Sequence, residues 1–312
     1  MKAPFRELAV RSSDSIDGVA EVYRGGDEGR ASLLIELPHG ATEREHYDAL
    51  AAQLRSPLPA GLEQFFHVNT DFGVPELAGE IAARLTSAAR KVPVKGVVVV
   101  RALVPRTFID FNREIAAGPE AVAAGMTPGL PPYISAGADQ QLLLSLHQQY
   151  HATVAGLYRE ICGAPGGLAV ALHSYAPRSV EVAVDADIVT ALREAYRPEA
   201  YAGWVQRPGV DFITRDADGL DLSPAGLVSE LKEAYSALGL EVGENATYHL
   251  HPATMGYRYA ASHPGQVLCV EFRRDLLGAP WQPFAPSPVD APGVAQLARP
   301  LAEALARRLA AR

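Results

Sequence analysis

Four short apolar runs constrain the fold of this chain more than any other feature of its sequence. They are nearly continuous rows of β-branched residues or leucine, each bounded by Gly, Pro or polar residues, at positions 32–38, 97–104, 168–172 and 266–272. Runs of this length and composition predict strands. Because their apolar residues do not alternate with polar ones, we expect helices to cover both faces of the sheet that these strands form.

Amphipathic segments lie between and after these runs. Residues 75–90 carry apolar side chains at i, i+4 spacing, and residues 140–161 have the pattern of a long amphipathic helix. Ser223 followed by Pro224 predicts the N-cap and first position of a further helix, and residues 293–312 predict a terminal one. Strands alternating with helices indicate an α/β fold in which a mostly parallel sheet is sandwiched by helices.

Length and composition agree with one globular domain that spans residues 1–312. Of the 312 residues, 48% are hydrophobic and 21% charged, and neither an internal repeat nor a shift in composition marks a second domain. The Pro/Gly-rich residues 116–137 predict a long loop, of the kind that often covers an active site.

Charge and cysteine content exclude several classes of protein. A formal net charge of −8 argues against nucleic acid or an anionic membrane as the main partner. Cys162 and Cys269 form no CxxC pair, which excludes a thiolate zinc site and a disulfide framework. The GxSxG, GxGxxG and GxxxxGK[ST] motifs are absent, so serine hydrolases, dinucleotide-binding proteins and P-loop proteins lack their signatures here.

The sequence also bears on location. No apolar run approaches the roughly 20 residues that span a bilayer. The first 15 residues contain no apolar segment typical of a secretory signal. We therefore expect a cytoplasmic protein with no membrane partner, and the oligomeric state is left open.

Four polar side chains stand at the ends of the four predicted strands. His39 follows the first run, Arg106 follows the second, His173 ends the third, and Glu271 lies near the end of the fourth. Because ligands bind at the carboxyl ends of strands in open α/β sheets, we expect these side chains to converge at one edge. A lone histidine after a strand is more often a structural residue, so the prediction depends on all four together.

The two imidazoles predict a metal site. Imidazoles and carboxylates are the usual ligands of zinc where thiolates are absent, and a catalytic zinc has three protein ligands and one open position. His39 and His173 supply two ligands, and Glu43, four residues after His39, is a candidate third. Asp71 is the rival third ligand, and it is an equally good N-cap for the helix near Pro75.

A second pair of histidines offers an alternative metal site. His249 and His251 are two residues apart, so on a strand they would face the same side and chelate a metal. Pro252 indicates instead that a strand ends there, which makes a buried site less favoured at this position.

The segment from Arg106 to Arg113 (RTFIDFNR) is the strongest single motif. Arginine is seldom buried unless it is paired, so two of them flanking a short extended stretch are atypical of a core strand. Two guanidiniums suit the binding of a carboxylate and the polarisation of a carbonyl. Salt bridges to Asp110 or Glu114 are the structural alternative, and spacing alone does not separate the two interpretations.

Several islands of sequence between about Leu33 and Leu276 resemble the N-formylglutamate amidohydrolase family. The most specific is the Arg106–Arg113 segment. The others, in the same order along the chain, are Pro38-His39-Gly40, Asn69-Thr70-Asp71-Phe72-Gly73 with Glu76-Leu77, Tyr150-His151, Leu172-His173-Ser174, Met255-Gly256-Tyr257 and Val270-Glu271. The wider superfamily includes zinc carboxypeptidases and aspartoacylases. The resemblance therefore implies a phosphorylase/hydrolase-like, zinc carboxypeptidase-like α/β fold.

The resemblance also implies roles. His39 and His173 would bind Zn²⁺. A superfamily glutamate lies three residues after the first histidine, whereas Glu43 lies four after it, so Asp71 remains the rival third ligand. The remaining implied site residues are the general base Glu271, the carbonyl-polarising Arg106, and the substrate-binding Asn112, Arg113 and Tyr257.

Together these roles imply a zinc-dependent hydrolase that cleaves the amide bond of an N-acyl amino acid, N-formyl in type, or of a similar small-molecule carboxylate. The alternatives are a metallocarboxypeptidase or another deacylase with the same machinery, and a non-catalytic binding protein for an acidic metabolite. The chain departs from the family pattern at Gly40-Ala41, where a serine is usual, so the acyl group and the amino acid are left open.

Overall fold

The structure is a computed structural model that describes residues 5, 10–26, 31–87, 94, 96–115, 127–278 and 280–310. The four predicted runs are confirmed as strands β3, β4, β5 and β8 of one sheet. In these residues the sheet has eight strands: β1 (Val10–Arg11), β2 (Ala20–Gly25), β3 (Leu33–Leu37), β4 (Val97–Ala102), β5 (Leu168–Tyr175), β6 (Val210–Ile213), β7 (Val242–Glu244) and β8 (Val267–Arg273).

The sheet is mixed, with a parallel centre. Its strand order is β1-β2-β4-β3-β5-β8-β6-β7. Strands β4, β3, β5 and β8 run parallel, whereas β2 and β6 pair antiparallel with β4 and β8 at either side of this centre. The carboxyl ends of the four central strands therefore lie at one edge, where α/β proteins bind ligands. The sequence predicts this mostly parallel mixed sheet but not its outer strands.

Helices pack on both faces of the sheet. Leu33, Ile35 and Leu37 of β3 point into the core on one face, and Leu34 points into the core on the other. Two-sided burial explains why the central strands carry no alternating polar residues. None of the described helices combines the length and the apolar character that crossing a bilayer requires. In the described segments the helices are α1 (Arg44–Ala51), α2 (Leu62–Asn69), α3 (Val74–Thr86), α4 (Gly137–Ile161), α5 (Ile188–Ala195), α6 (Pro198–Gly203), α7 (Leu227–Ser236), α8 (Met255–Ser262) and α9 (Ala291–Ala310).

The predicted helices correspond to α3, α4, α7 and α9, and one of them begins later than expected. Helix α7 has Gly226 as its N-cap, at a φ of 73° that favours glycine, rather than Ser223. The hydroxyl of Ser223 donates instead to Oδ1 of Asp221 (2.7 Å), so it cannot cap the helix. Residues 88–90, 116–126 and 311–312, which the predicted helices and loop include, lie outside the described residues.

Candidate active site

The structure brings the predicted strand-end side chains together. His39 follows β3 by two residues, and β5 pairs with β8 so that His173 lies directly beside Glu271. The loop after β3 is held against β4, because Nε of Arg101 donates to the carbonyl of Gly40 (2.7 Å). Glycine is required there, since a Cβ would lie 2.5 Å from Cγ of Arg101.

His39, Asp71 and His173 form a buried cluster. Oδ2 of Asp71 lies 3.2 Å from Nδ1 of His39 and 3.0 Å from Nδ1 of His173. The ring centroids are 5.1 Å apart, and the three residues are only 4%, 1% and 6% exposed. One nitrogen or oxygen from each lies within 4.8 Å of the others, so the group could hold a metal ion.

Electrostatics in the cluster favour a positive charge between the rings and the carboxylate. Burial opposes ionisation of Asp71, but the two imidazoles lower the pKa of this carboxyl far below its usual range. Burial likewise disfavours charged His173, yet contact with Asp71 and the nearby Glu271 raise the pKa of the imidazole above its ordinary value. A proton or a metal cation held between the imidazoles and the carboxylate of Asp71 would balance its negative charge.

Asp71 reaches the cluster from the turn between α2 and α3. The alternative that it caps α3 is not borne out, because Gly73 is the N-cap. Gly73 has a φ of 77°, and a Cβ there would lie 2.6 Å from Cβ of Leu277. The other carboxylate oxygen of Asp71, Oδ1, lies 3.6 Å from Nη2 of Arg274. The buried guanidinium of Arg274 therefore helps to fix the position of the aspartate.

Asp110 contacts the cluster through the second ring nitrogen of His39, although the sequence indicated Asp110 only as a salt-bridge partner. Its Oδ1 lies 2.7 Å from Nε2 of His39 and accepts the backbone N–H of Asn112 (2.8 Å). Metal-binding histidines commonly donate their second ring N–H to a carboxylate in this way. Burial opposes ionisation of Asp110, but Arg106 and Arg113 hold its pKa well below its usual range.

A cavity of about 200 Å³ lies beside the cluster and is lined by Arg106, Asp110, Ser174 and Glu271 among others. Nη2 of Arg106 donates to Oδ2 of Asp110 (2.8 Å), which fixes its guanidinium at the cavity wall. Oε2 of Glu271 is buried and has no hydrogen-bond partner among the described residues. Burial raises the pKa of Glu271, although His173 acts in the opposite direction.

Glu43, the first candidate for the third ligand, is not part of the cluster. It is the N-cap residue of α1, and its carboxylate pairs with the guanidinium of Arg101 and with Nδ1 of His46 (2.8 Å). Arg101 projects from β4 and pairs with this carboxylate, and Glu43 is not in the group formed by His39, Asp71 and His173. Asp71 occupies the place that the sequence assigned first to Glu43.

The predicted substrate-binding residues Asn112, Arg113 and Tyr257 are not part of the described cavity lining, which does include Thr127, a contact of Arg113. Nε of Arg113 donates to the carbonyl of Thr127 (3.3 Å), and its Nη1 donates to the carbonyl of Asn112 (3.0 Å). Oδ1 of Asn112 accepts the N–H of Gly256 (3.0 Å) at the start of α8. Tyr257 is half-buried and packs against the core.

His249 and His251, the alternative metal pair, form no group of three possible ligands with an acidic residue that the structure describes. Their ring centroids are 5.6 Å apart, and Nδ1 of His251 accepts the N–H of Ala253 (3.0 Å). In the parts of the chain that the structure describes, only His39, Asp71 and His173 group three possible ligands.

Comparison with known proteins confirms the family resemblance. The sequence model of the N-formylglutamate amidohydrolase family matches residues 31–277, whereas no curated protein matches the chain significantly. A solved N-formylglutamate amidohydrolase from Ralstonia eutropha JMP134 is 20% identical, with a TM-score of 0.55 and coverage of 93% of this chain and 97% of that one. The gene product Atu2144 from Agrobacterium tumefaciens is 17% identical, with a TM-score of 0.55 and coverage of 93% and 95%.

The two structural similarities support the fold, and the family match supports the chemistry. The matched residues 31–277 cover most of the chain and contain every site residue from His39 to Glu271. The chain therefore belongs to the N-formylglutamate amidohydrolase family and is a hydrolase that acts on an amide bond.

Proposed function

We propose that the protein is a zinc-dependent hydrolase that cleaves the amide bond of an N-acyl amino acid, N-formyl in type, or of a similar small-molecule carboxylate. The observation that carries this proposal is the convergence of three buried ligand atoms, from His39, Asp71 and His173, beside the carboxylate of Glu271. Each of these residues comes from a different segment of the chain, so only the folded protein brings them together.

The donor set fits zinc. Two imidazoles and one carboxylate match catalytic zinc sites, which leave a fourth position open. Ligand atoms about 2.1 Å from a tetrahedral ion lie roughly 3.4 Å from each other. Oδ2 of Asp71 lies 3.2 and 3.0 Å from the two Nδ1 atoms, which is close to that separation. When bound, zinc would polarise the amide carbonyl and acidify the attacking water.

We propose Glu271 as the general base. Its carboxylate lines the cavity, adjoins His173, and has one buried oxygen with no partner among the described residues. Burial raises the pKa of Glu271, which makes its carboxylate a stronger base. We expect Glu271 to take the proton of the attacking water and to return it to the leaving amine.

The arginines supply fixed positive charge. Arg106 lines the cavity in a position set by Asp110, so it can stabilise the negative charge that develops on the carbonyl oxygen without rearranging. Arg113, with Asn112, would hold the carboxylate next to the scissile amide and orient the substrate before the bond breaks. Contact of Tyr257 with substrate stays a prediction.

Metal content and a substrate panel test this function together. We expect the purified protein to contain about one zinc per chain and to hydrolyse N-formyl amino acids. A chelator should abolish turnover, and added zinc should restore it. Hydrolysis that persists in metal-free protein would contradict the zinc-dependent mechanism, and binding of N-formyl amino acids without turnover would support a non-catalytic binding protein.

A substrate panel that also contains N-acetyl amino acids and dipeptides separates the rival hydrolases. These compounds have larger groups on the acyl side of the amide than N-formyl amino acids do. A metallocarboxypeptidase would hydrolyse the dipeptides with the highest kcat/KM, and another deacylase would favour the N-acetyl compounds. We expect the N-formyl compounds to give the highest kcat/KM.

A further inference from the structure

The cavity that holds Glu271 has two kinds of lining, and they come from different elements of the fold. Glu271 belongs to β8, and Arg106 and Asp110 follow β4, so these charged groups come from the edge of the sheet. A second part of the lining comes from outside the sheet and is aliphatic. This aliphatic wall consists of Val180, Val182, Val184, Ile188 and Leu192. No step of the proposed mechanism uses it.

The three valines of the wall share one face of their segment. They are half-buried and alternate with exposed residues, which are Glu181, Ala183 and Asp185. Residues 180–184 belong to no described strand, so pairing within the sheet does not account for this alternation. The valines pack against the core and line the cavity at the same time. The segment therefore turns its apolar face to the cavity and its polar face to solvent.

Two packed helices continue the apolar surface. Ile188 and Leu192 lie one turn apart on α5, so they share a face of that helix. Helix α2 packs against α5, and its Phe65 also lines the cavity. The aliphatic wall thus has a supported backbone on the side of α5 and is part of the folded structure, not an isolated exposed patch.

The chemistry of the wall favours an apolar occupant. Valine, isoleucine and leucine side chains offer no hydrogen bond, so a polar group placed against them would lose water without gaining a partner. The carboxylates of Asp110 and Glu271 line the same cavity and repel an anion. Arg207 also lines it, but its Nε and Nη2 already donate to the hydroxyls of Ser179 and Tyr248 (3.0 and 2.9 Å).

The position of the catalytic groups indicates which part of a substrate reaches the wall. The proposed function places the scissile amide at Glu271 and Arg106, and the wall shares a cavity of about 200 Å³ with them. A formyl group has no carbon beyond its carbonyl, so it cannot cover an aliphatic surface. The side chain of the amino acid is the part of the substrate that can.

We propose that the aliphatic wall is the subsite for the side chain of the substrate's amino acid, and that it selects an aliphatic side chain of about the size of leucine. This rests on the proposed function, which places the scissile amide at Glu271. The enzyme then prefers N-formyl derivatives of aliphatic amino acids to those of polar or acidic ones.

Two substrates of nearly equal size and different polarity test the selection. The ratio of kcat/KM for N-formylleucine to that for N-formylasparagine should be about ten or more, because burial of a leucine-sized side chain contributes at least that factor. Val182→Asn should lower the ratio by about threefold or more, mainly through KM for N-formylleucine. Adding Val184→Asn to this variant should bring the ratio close to one.

A larger side chain in the wall tests its position. Val182→Phe fills space beside the wall, so kcat/KM for N-formylleucine should fall by about tenfold or more. N-formylglycine has no side chain to place there, and its kcat/KM should stay within about twofold of that of the unmodified enzyme. A variant that had merely lost its fold would lose activity on both substrates.

The matched control is Val205→Asn. Val205 is the same residue type in a nearby loop, but it is 74% exposed and does not line the cavity. The change should leave the ratio unaltered. Thermal melting of every variant identifies losses of stability, and hydrolysis of N-formylglycine serves as the internal reference for active enzyme.

Three results would overturn the proposal. One is a kcat/KM for N-formylasparagine or N-formylglutamate that equals or exceeds that for N-formylleucine. Another is an unchanged ratio in the variant with both valines replaced. The third is a higher kcat/KM for N-hexanoylglycine than for N-formylleucine, which would assign the wall to the acyl group.

Failure of the proposed function gives a different result, because no N-formyl compound is then hydrolysed. Calorimetry of the zinc-loaded protein with N-formylleucine and N-formylasparagine tests the wall separately in that case. N-formylleucine should bind more tightly, and replacing both valines should remove the difference. Equal binding, or no binding of either compound, would reject the subsite.

Discussion

Two of the histidine pairs whose rings pack together in the described residues have surroundings that give them opposite properties. His147 and His151 lie one turn apart on α4 with ring centroids 4.2 Å apart, whereas His39 and His173 come from distant segments with centroids 5.1 Å apart. Burial lowers the pKa of both helix histidines, that of His151 to about 3. At His173 burial acts in the same direction, but contact with Asp71 outweighs it and raises the pKa.

The difference shows what makes two imidazoles suitable for a metal. The helix pair has the closer rings and the i, i+4 spacing of many metal sites, but among the described residues no carboxylate completes a group of three ligands around it. The sheet-edge pair shares Asp71, and Asp110 binds the second nitrogen of His39. Proximity of the rings is therefore less decisive than the carboxylate between them.

The largest expected difference between the pairs is in metal binding. His173→Ala removes one of three ligands, so zinc content should fall from about one per chain to near zero. Amide hydrolysis should fall by about 10³-fold or more, because the metal provides several kcal/mol of stabilisation. His151→Ala is the matched control, and this variant should keep both its zinc content and its rate of amide hydrolysis. Zinc retained in His173→Ala but lost in His151→Ala would reverse the comparison.

A second prediction separates the chemistry at the sheet edge from the metal. Glu271→Gln keeps the shape of the side chain but removes the base, so kcat should fall by about 10²- to 10⁴-fold. Zinc content should stay near one per chain, since Glu271 is not among the three grouped ligands. Turnover close to that of the unmodified enzyme would show that another group accepts the proton.

The pH dependence of zinc affinity tests the raised pKa that distinguishes His173 from the two helix histidines. In the metal-free protein, the raised pKa of His173 means that its charged contact with Asp71 stabilises the fold below the unfolded pKa of about 6.5. This contribution is lost as pH rises through the folded pKa, where zinc no longer competes with a proton. Zinc affinity should therefore rise by about tenfold per pH unit from pH 6 until His173 is deprotonated. Titration with a competing chelator measures this, and a flat profile would contradict the shift.

The smallest expected effect concerns the helix pair. His147 contacts the carbonyl of Arg113 through Nε2 (3.0 Å), so it supports the segment that carries the predicted substrate-binding arginine. His147→Leu removes this half-buried hydrogen bond and should lower the free energy of unfolding by about 1 kcal/mol, with zinc content unchanged. Urea denaturation measures the change. Loss of zinc from this variant would mean that the helix pair takes part in the metal site.

The sequence alone predicted the central strands and the positions of His39, His173 and Glu271, because long apolar runs with polar ends depend little on tertiary context. It did not separate Glu43 from Asp71. Glu43, four residues after His39, was the first candidate and Asp71 its rival, but Arg101 on the neighbouring strand β4 pairs with the carboxylate of Glu43. Asp71 reaches the site only because α2 and α3 pack on the sheet, and no local pattern reports that packing.

The outer strands were missed for a similar reason. Strand β2, Ala20–Gly25, lacks a continuous apolar run, and its last three residues are all half-buried. Strand β7 is only three half-buried residues long. The formation of such half-buried strands depends on their neighbours more than on their own composition. The cytoplasmic location, the absence of a nucleic-acid partner and a single domain over residues 1–312 stay predictions.

Anomalous diffraction from crystals of the zinc-loaded protein locates the metal itself. We predict one zinc peak per chain, bonded to Nδ1 of His39, Nδ1 of His173 and a carboxylate oxygen of Asp71, with Glu271 facing the open coordination position. A zinc peak at His249 and His251 or at His147 and His151, or zinc-loaded crystals with no peak between His39 and His173, would contradict it.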